Sequence, residues 1–100
     1  MVIEGNNEIF EKEVLNYEGK VLVDFNATWC GPCRMLKPVL DQVAANGKKI
    51  VAIDVDNDRD IAIKYNISSI PCLILFENGK EVKRSVGLIP INEIESLFEE

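Results

Sequence analysis

Histidine is absent from this chain of 100 residues, which excludes Cys-His nucleophilic catalysis and histidine ligation of a metal. Basic residues are scarce as well: 11 Lys and Arg stand against 17 Asp and Glu, a formal charge of -6. Nucleic-acid binding draws on a basic surface to neutralise phosphates, so no nucleic-acid partner is expected. No apolar run approaches the roughly 18 residues of a membrane span. The opening "MVIEGNNEIF" has no basic segment followed by an apolar stretch, so no targeting leader and no membrane partner are expected. The expectation is a soluble, cytoplasmic protein.

Proline (4) and glycine (6) are also few, in a composition that is 47% hydrophobic and 28% charged. Such a chain packs rather than remaining disordered. Its length lies near the commonest domain size and supports one core without covalent staples. With no linker, repeat or low-complexity segment, residues 1–100 are expected to form a single domain.

What is present is an alternation of Val/Ile-rich runs with stretches of helical period, the pattern of an α/β domain. "MVI" reads as a possible edge strand. "NNEIFEKEVLNYEG" sets Ile9, Phe10, Val14 and Tyr17 at helical spacing behind asparagine caps. "KVLVDFNA" is nearly continuous apolar sequence and reads as a central strand covered on both faces. From Gly31 to about Asn46 follows a helix with Met35, Leu36, Val39, Leu40 and Val43 as the expected buried stripe. Gly47 should stop it and Pro38 should kink it.

"KIVAIDVD" is another buried strand. "NDRDIAIKYN" follows as a helix capped by Asn57 or Asp58, with Ile61, Ala62 and Tyr65 facing inward. "IPCLILFENGKEVKRSVG" places two strand-like runs around "NG", which predicts an antiparallel hairpin. "LIPINEIESLFEE" begins a last helix near Pro90, with Ile91, Ile94, Leu97 and Phe98 on one face. Four helices and about five strands result.

Two of the three cysteines lie in "WCGPC", residues 29–33. A Cys-x-x-Cys between a strand and a helix puts the first sulfur near the helix N-terminus, where free amides and the positive dipole end favour a thiolate. Cys30 is therefore the candidate nucleophile, with Arg34 adding weak, screened positive charge. Cys33, one turn on, is the candidate resolving thiol. Gly31 is read as permitting the tight turn, and Pro32 as fixing φ where the helix begins.

Asp24 interrupts an apolar strand six residues before Cys30. Two readings are open: a buried carboxyl of raised pKa beneath the cysteine pair, taking the Cys33 proton, or an acid at a strand edge facing water or bonded to an amide. Pro71 opens a strand. A turn proline is its default explanation, because only about 5–6% of such bonds are cis. A cis Ile70–Pro71 bond would leave Ile70 backbone groups free to pair with an extended substrate.

Taken together, "WCGPC", Asp24 in "VDF", Pro38, "SIP" at residues 69–71, the "NGK" hairpin and Gly87 resemble the thioredoxin family in order and spacing, over essentially the whole chain. The resemblance implies a thioredoxin fold, a central mixed β-sheet flanked by four α-helices. It also implies reversible reduction of protein disulfides. Cys30 would attack the substrate disulfide, Cys33 would resolve the mixed disulfide and Asp24 would assist proton transfer. Trp29, Ile70, a cis Pro71 and Gly87, beside Gly31 and Pro32, would bind the substrate chain.

By the same likeness the electron donor is a thioredoxin reductase, and the only redox group carried by this chain is its Cys30–Cys33 disulfide, with no cofactor and no metal. Ribonucleotide reductase, peroxiredoxin and methionine sulfoxide reductase are implied acceptors, and a monomer is the expected state.

Three positions depart from the usual pattern. Ala52 stands where many members carry a lysine near Asp24, so a favourable charge is missing and the Asp24 pKa is free to rise. Asn26 replaces a second tryptophan, leaving Trp29 as the sole indole. Cys72 follows Pro71 in place of threonine and reads either as a small buried hydrophobe or as a side-reacting thiol. Readings from other classes are a zinc or iron-sulfur module, a non-redox binding module, and a disulfide isomerase or oxidase. The first lacks ligands beyond Cys72. The last typically carries histidine between the cysteines, whereas Gly31 and Pro32 point to a reductase.

Overall fold

Five consecutive residues, Val21 to Phe25, are buried in the strand Lys20–Asn26, and the rest of the architecture follows from covering both of its faces. The computed structural model describes all residues from 1 to 100. In chain order the elements are β1 (Ile3–Glu4), α1 (Asn7–Phe10), β2 (Lys20–Asn26), α2 (Gly31–Ala45), β3 (Ile50–Asp54), α3 (Arg59–Lys64), β4 (Cys72–Glu77), β5 (Lys80–Val86) and α4 (Ile91–Ser96). The sheet order is β1-β3-β2-β4-β5. β1 and β2 run parallel to β3, whereas β4 is antiparallel to both β2 and β5. β2 therefore lies at the centre, as its unbroken apolar run requires.

Side chains alternate across a strand, and β2 divides accordingly. Val21, Val23 and Phe25 join Phe10, Val14, Ile61 and Phe76 in one core cluster, beneath α1 and α3. Leu22 joins Leu36, Leu40, Val43, Leu73, Ile94 and Phe98 in the other, beneath α2 and α4. Asp24 shares the Leu22 face, so the sheet's alternation alone directs its carboxyl toward α2.

The signals that bound α1 and α2 act as anticipated, whereas Asp58 stands at the N-cap of α3 without a side-chain cap bond. Asn6 caps α1 by accepting a hydrogen bond from the Ile9 amide at 2.9 Å. That helix then widens into a π-helical stretch over Glu11–Leu15, a change that leaves no mark on the apolar spacing. α2 ends at Gly47, φ 97°, whose N–H reaches the Ala44 carbonyl at 3.0 Å while that of Lys48 reaches Val43 at 3.4 Å. This double closure requires the left-handed conformation that glycine adopts without cost. Pro38 lies inside α2 on an exposed side, where the Arg34 carbonyl loses its helical donor.

The "NG" hairpin is two residues long, with Asn78 at φ 54° and Gly79 at φ 82°, as a turn with two positive φ angles demands. Asn78 also ties the turn to the preceding loop, accepting from the Gly19 amide at 2.8 Å and donating to its carbonyl at 2.9 Å. One expectation fails. Met35 is 64% exposed, because the adjacent Leu36 occupies the core direction and a neighbour about 100° around a helix points elsewhere. Tyr65, expected to face inward, is half-buried, its ring 5.3 Å from that of Phe76.

Candidate active site

The reacting groups gather where β2 ends and α2 begins. Cys30 is the N-cap of α2, with φ -89° and ψ 113°, and its Sγ accepts the Cys33 N–H at 3.2 Å. A sulfur in that position takes an otherwise unpaired amide and lies at the positive end of the helix dipole, both of which favour negative charge there. Cys30 and Cys33 form a disulfide, with Cα atoms 5.3 Å apart. Both are 5% exposed and pack with Ala27, Val55 and Ile70.

Around the pair, the groups differ in accessibility. Trp29 is 67% exposed, and its indole N–H donates to Asp56 at 2.7 Å. The Asp56 contact had no signal in the sequence, because it joins two loops 27 residues apart. Pro32 is exposed and Gly31 half-buried. Gly31 does not serve a tight turn: its φ is outside the left-handed region, and an added Cβ would meet nothing within 4 Å. What glycine leaves there is open space beside the sulfurs. Arg34 turns its guanidinium to the Thr28 carbonyl at 3.0 Å.

The Ile70–Pro71 bond is cis. The Ile70 carbonyl oxygen lies 3.9 Å from Cys30 Sγ, and the Pro71 carbonyl accepts the Gly87 N–H at 2.8 Å. Ile70 and Gly87 are half-buried, whereas Pro71 is buried and contributes support more than surface. Gly87 has φ 101° and, like Gly31, open space where a side chain would stand.

Asp24 is buried, 7% exposed, so it does not face water, and the Asn26 side-chain amide bonds its Oδ2. It lines a cleft of about 390 Å³ together with Glu4, Asn26, Cys33, Lys37 and Ala52. Burial pushes its carboxyl up to about 7; the Asn26 hydrogen bond opposes this, Glu4 adds to it and Lys37 opposes it. Glu4, Ala52 and Asp24 stand in one rung across β1, β3 and β2, and the small Ala52 leaves the cleft open between the two acids. Asn26 donates to the Asp24 carbonyl at 3.0 Å and to its Oδ2 at 3.1 Å, while Oδ1 is buried with no partner. The strand period of two places residue 26 beside residue 24, and that signal was available in the sequence.

Cys72 is free and buried, 1% exposed, in the core cluster on the opposite face. Burial raises its thiol pKa, as expected of a cysteine packed among apolar side chains. No three His, Cys, Asp or Glu side chains are grouped to hold a metal, and no helix is long and apolar enough to cross a membrane.

Comparison with known proteins agrees with this geometry. The thioredoxin family model matches residues 1–100. The thioredoxin of Chlamydia trachomatis is 56% identical over 72 residues, covering 70% of this chain and 71% of that protein. That of Porphyra purpurea is 44% identical over 90 residues, 87% of this chain and 84% of its own length. That of Chlorobaculum thiosulfatiphilum is 43% identical over 100 residues, 97% and 93% of the two chains. Matched along its whole length and carrying the bonded Cys30–Cys33 pair at the head of α2, the chain belongs to the thioredoxin family of thiol-disulfide oxidoreductases, which reduce disulfides in proteins.

Proposed function

We propose that residues 1–100 act as one monomeric domain that reduces protein disulfides by two thiol exchanges. In the dithiol form, the Cys30 thiolate attacks a substrate sulfur, and the substrate S–S bond breaks as a mixed disulfide forms. Cys33 then attacks Cys30 Sγ, giving up its proton to Asp24. The Cys30–Cys33 bond closes as the Cys30–substrate bond breaks, and the substrate, its two sulfurs protonated from solvent, leaves as a dithiol having received two electrons. A separate reductase returns them.

The observation that carries this reading is the seat of Cys30 as the cap of α2, its sulfur already accepting the Cys33 amide. The raised affinity of Asp24 for a proton, in a cleft shared with Cys33, supports its role as the acceptor. Trp29, Gly31, Pro32, Ile70 and Gly87 form the docking rim, supported from beneath by the buried Pro71, with open space above both glycines. We assign this protein to the cytoplasm, with ribonucleotide reductase, peroxiredoxin and methionine sulfoxide reductase as acceptors and a thioredoxin reductase as donor.

A redox titration of the pair in defined thiol buffers, beside a Cys72→Ser control, tests the assignment. One two-electron transition, more reducing than glutathione and unchanged in the control, is expected. A more oxidising couple would instead identify an isomerase, and loss of the transition would overturn the redox reading.

A further inference from the structure

The Asn26 amide, at the end of β2, reaches back along its own strand to the residue that the mechanism uses as a base, and nothing in the exchange chemistry by itself requires an asparagine there. An amide nitrogen has two N–H groups. One is spent on the Asp24 carbonyl at 3.0 Å and the other on Asp24 Oδ2 at 3.1 Å. A carbonyl contact alone would cap the end of β2. The second bond distinguishes the two carboxyl oxygens, because Oδ1 is left buried without a partner.

We propose that Asn26 is a positioning residue for the resolving step: it holds Asp24 by Oδ2 and so leaves Oδ1 as the atom that takes the Cys33 proton. The inference rests on the reading of Asp24 as the base. In the step, the Cys33 S–H bond breaks and its proton passes to Asp24 Oδ1, the carboxyl oxygen that holds no other partner. The sulfur electron pair forms the bond to Cys30 Sγ. The Cys30–substrate bond breaks with its pair on the substrate sulfur, which is protonated from solvent, and Asp24 later returns its proton through the cleft.

The groups facing Asp24 are Glu4 from β1, Ala52 from β3, and Cys33, Arg34 and Lys37 from α2. Leu73 of β4 completes the rung. Of these, Glu4 opposes ionisation and Lys37 favours it, but neither hydrogen-bonds the carboxyl. Asn26 alone does so, and a hydrogen bond to the charged form favours it.

The test compares Asn26→Ala and Asn26→Leu with the unchanged protein, each also combined with Asp24→Asn. Two signals are read: the carboxyl titration of Asp24 in the oxidised protein by carbon NMR, and the pH profile of the resolving step in single-turnover exchange with a small protein disulfide. Loss of a hydrogen bond to a charged group should move the titration upward by about one pH unit. The acid limb of the rate profile should move with it, slowing resolution several-fold at pH 7, with no further slowing in the Asp24→Asn background.

An unmoved titration would overturn the proposal even if activity fell, since a merely structural role would slow the enzyme without touching the carboxyl. If Asn26→Ala fails to fold, Asn26→Leu, close in size and without a donor, carries the same expectation. If Asp24→Asn alone resolves at the unchanged rate, the base reading fails, and the acceptor role of Oδ1 falls with it. The titration then still decides whether Asn26 holds the carboxyl.

Discussion

Asp24 is the residue at which sequence and environment are in sharpest conflict. Its carboxyl would ionise near pH 4 in an unfolded chain but is held at about 7 in the fold, chiefly by burial. The folded protein therefore binds this proton more tightly than the unfolded chain. The sign follows: the contribution is fully present below pH 4, declines as pH rises from about 4 to 7, and is absent above. Asp24→Asn removes the ionisation, so its stability advantage over the unchanged protein should grow by about 3 kcal/mol between pH 4.5 and 8.5. Denaturant melts of the oxidised proteins at the two pH values check this; a constant difference would mean that Asp24 is solvated. The sequence exposed the burial problem, because an acid in "KVLVDFNA" has few ways to reach water. It did not decide the outcome, which depended on Ala52, Glu4 and Lys37 arriving from three other elements. Met35 shows the same limit from the other side: an apolar residue in a helix stripe is core only if a neighbour is not already there.

Elements bounded by punctuating residues were the most legible. Gly47, the "NG" turn and the Asn6 cap each impose local backbone chemistry that no distant contact needs to complete. The π stretch of Glu11–Leu15 was invisible, since it keeps Val14 buried as an α-helix would. The cis bond at Pro71 was equally beyond local physics, which favours trans; only the family resemblance carried it. The hairpin yields a prediction at this scale. Gly79 has φ 82°, and an added Cβ would collide with the Leu15 carbonyl, which belongs to backbone and cannot swing aside. Gly79→Ala should cost about 1–3 kcal/mol through its dihedral strain, with the collision added to it. Equilibrium urea unfolding measures the loss, and a change under about 0.5 kcal/mol would show that the turn relaxes freely. The redox couple of this variant should be unaltered, because Cys30 and Cys33 lie at the far end of β2 from the turn.

For the whole molecule, the disulfide and the fold support one another. Closing a loop from Cys30 to Cys33 removes freedom from the unfolded chain, by about 2 kcal/mol for so short a loop on the chain-entropy account. The oxidised protein should therefore unfold at higher denaturant concentration than the dithiol form. Equal midpoints would show that the reduced site gains compensating contacts. The same cycle read the other way makes the folded disulfide harder to reduce than an unfolded one by about 40 mV, taking about 30 mV per 1.4 kcal/mol. The open ground above Gly31 and Gly87 has a consequence of a different kind. The rim proposed above to dock substrates has no side chains at two of its places, and in that role it would offer a visiting chain peptide groups and shape, and few chemical labels to match. In informational terms it would ask its substrates few questions, and so would distinguish a reachable disulfide from an unreachable one while remaining nearly indifferent to the residues around it.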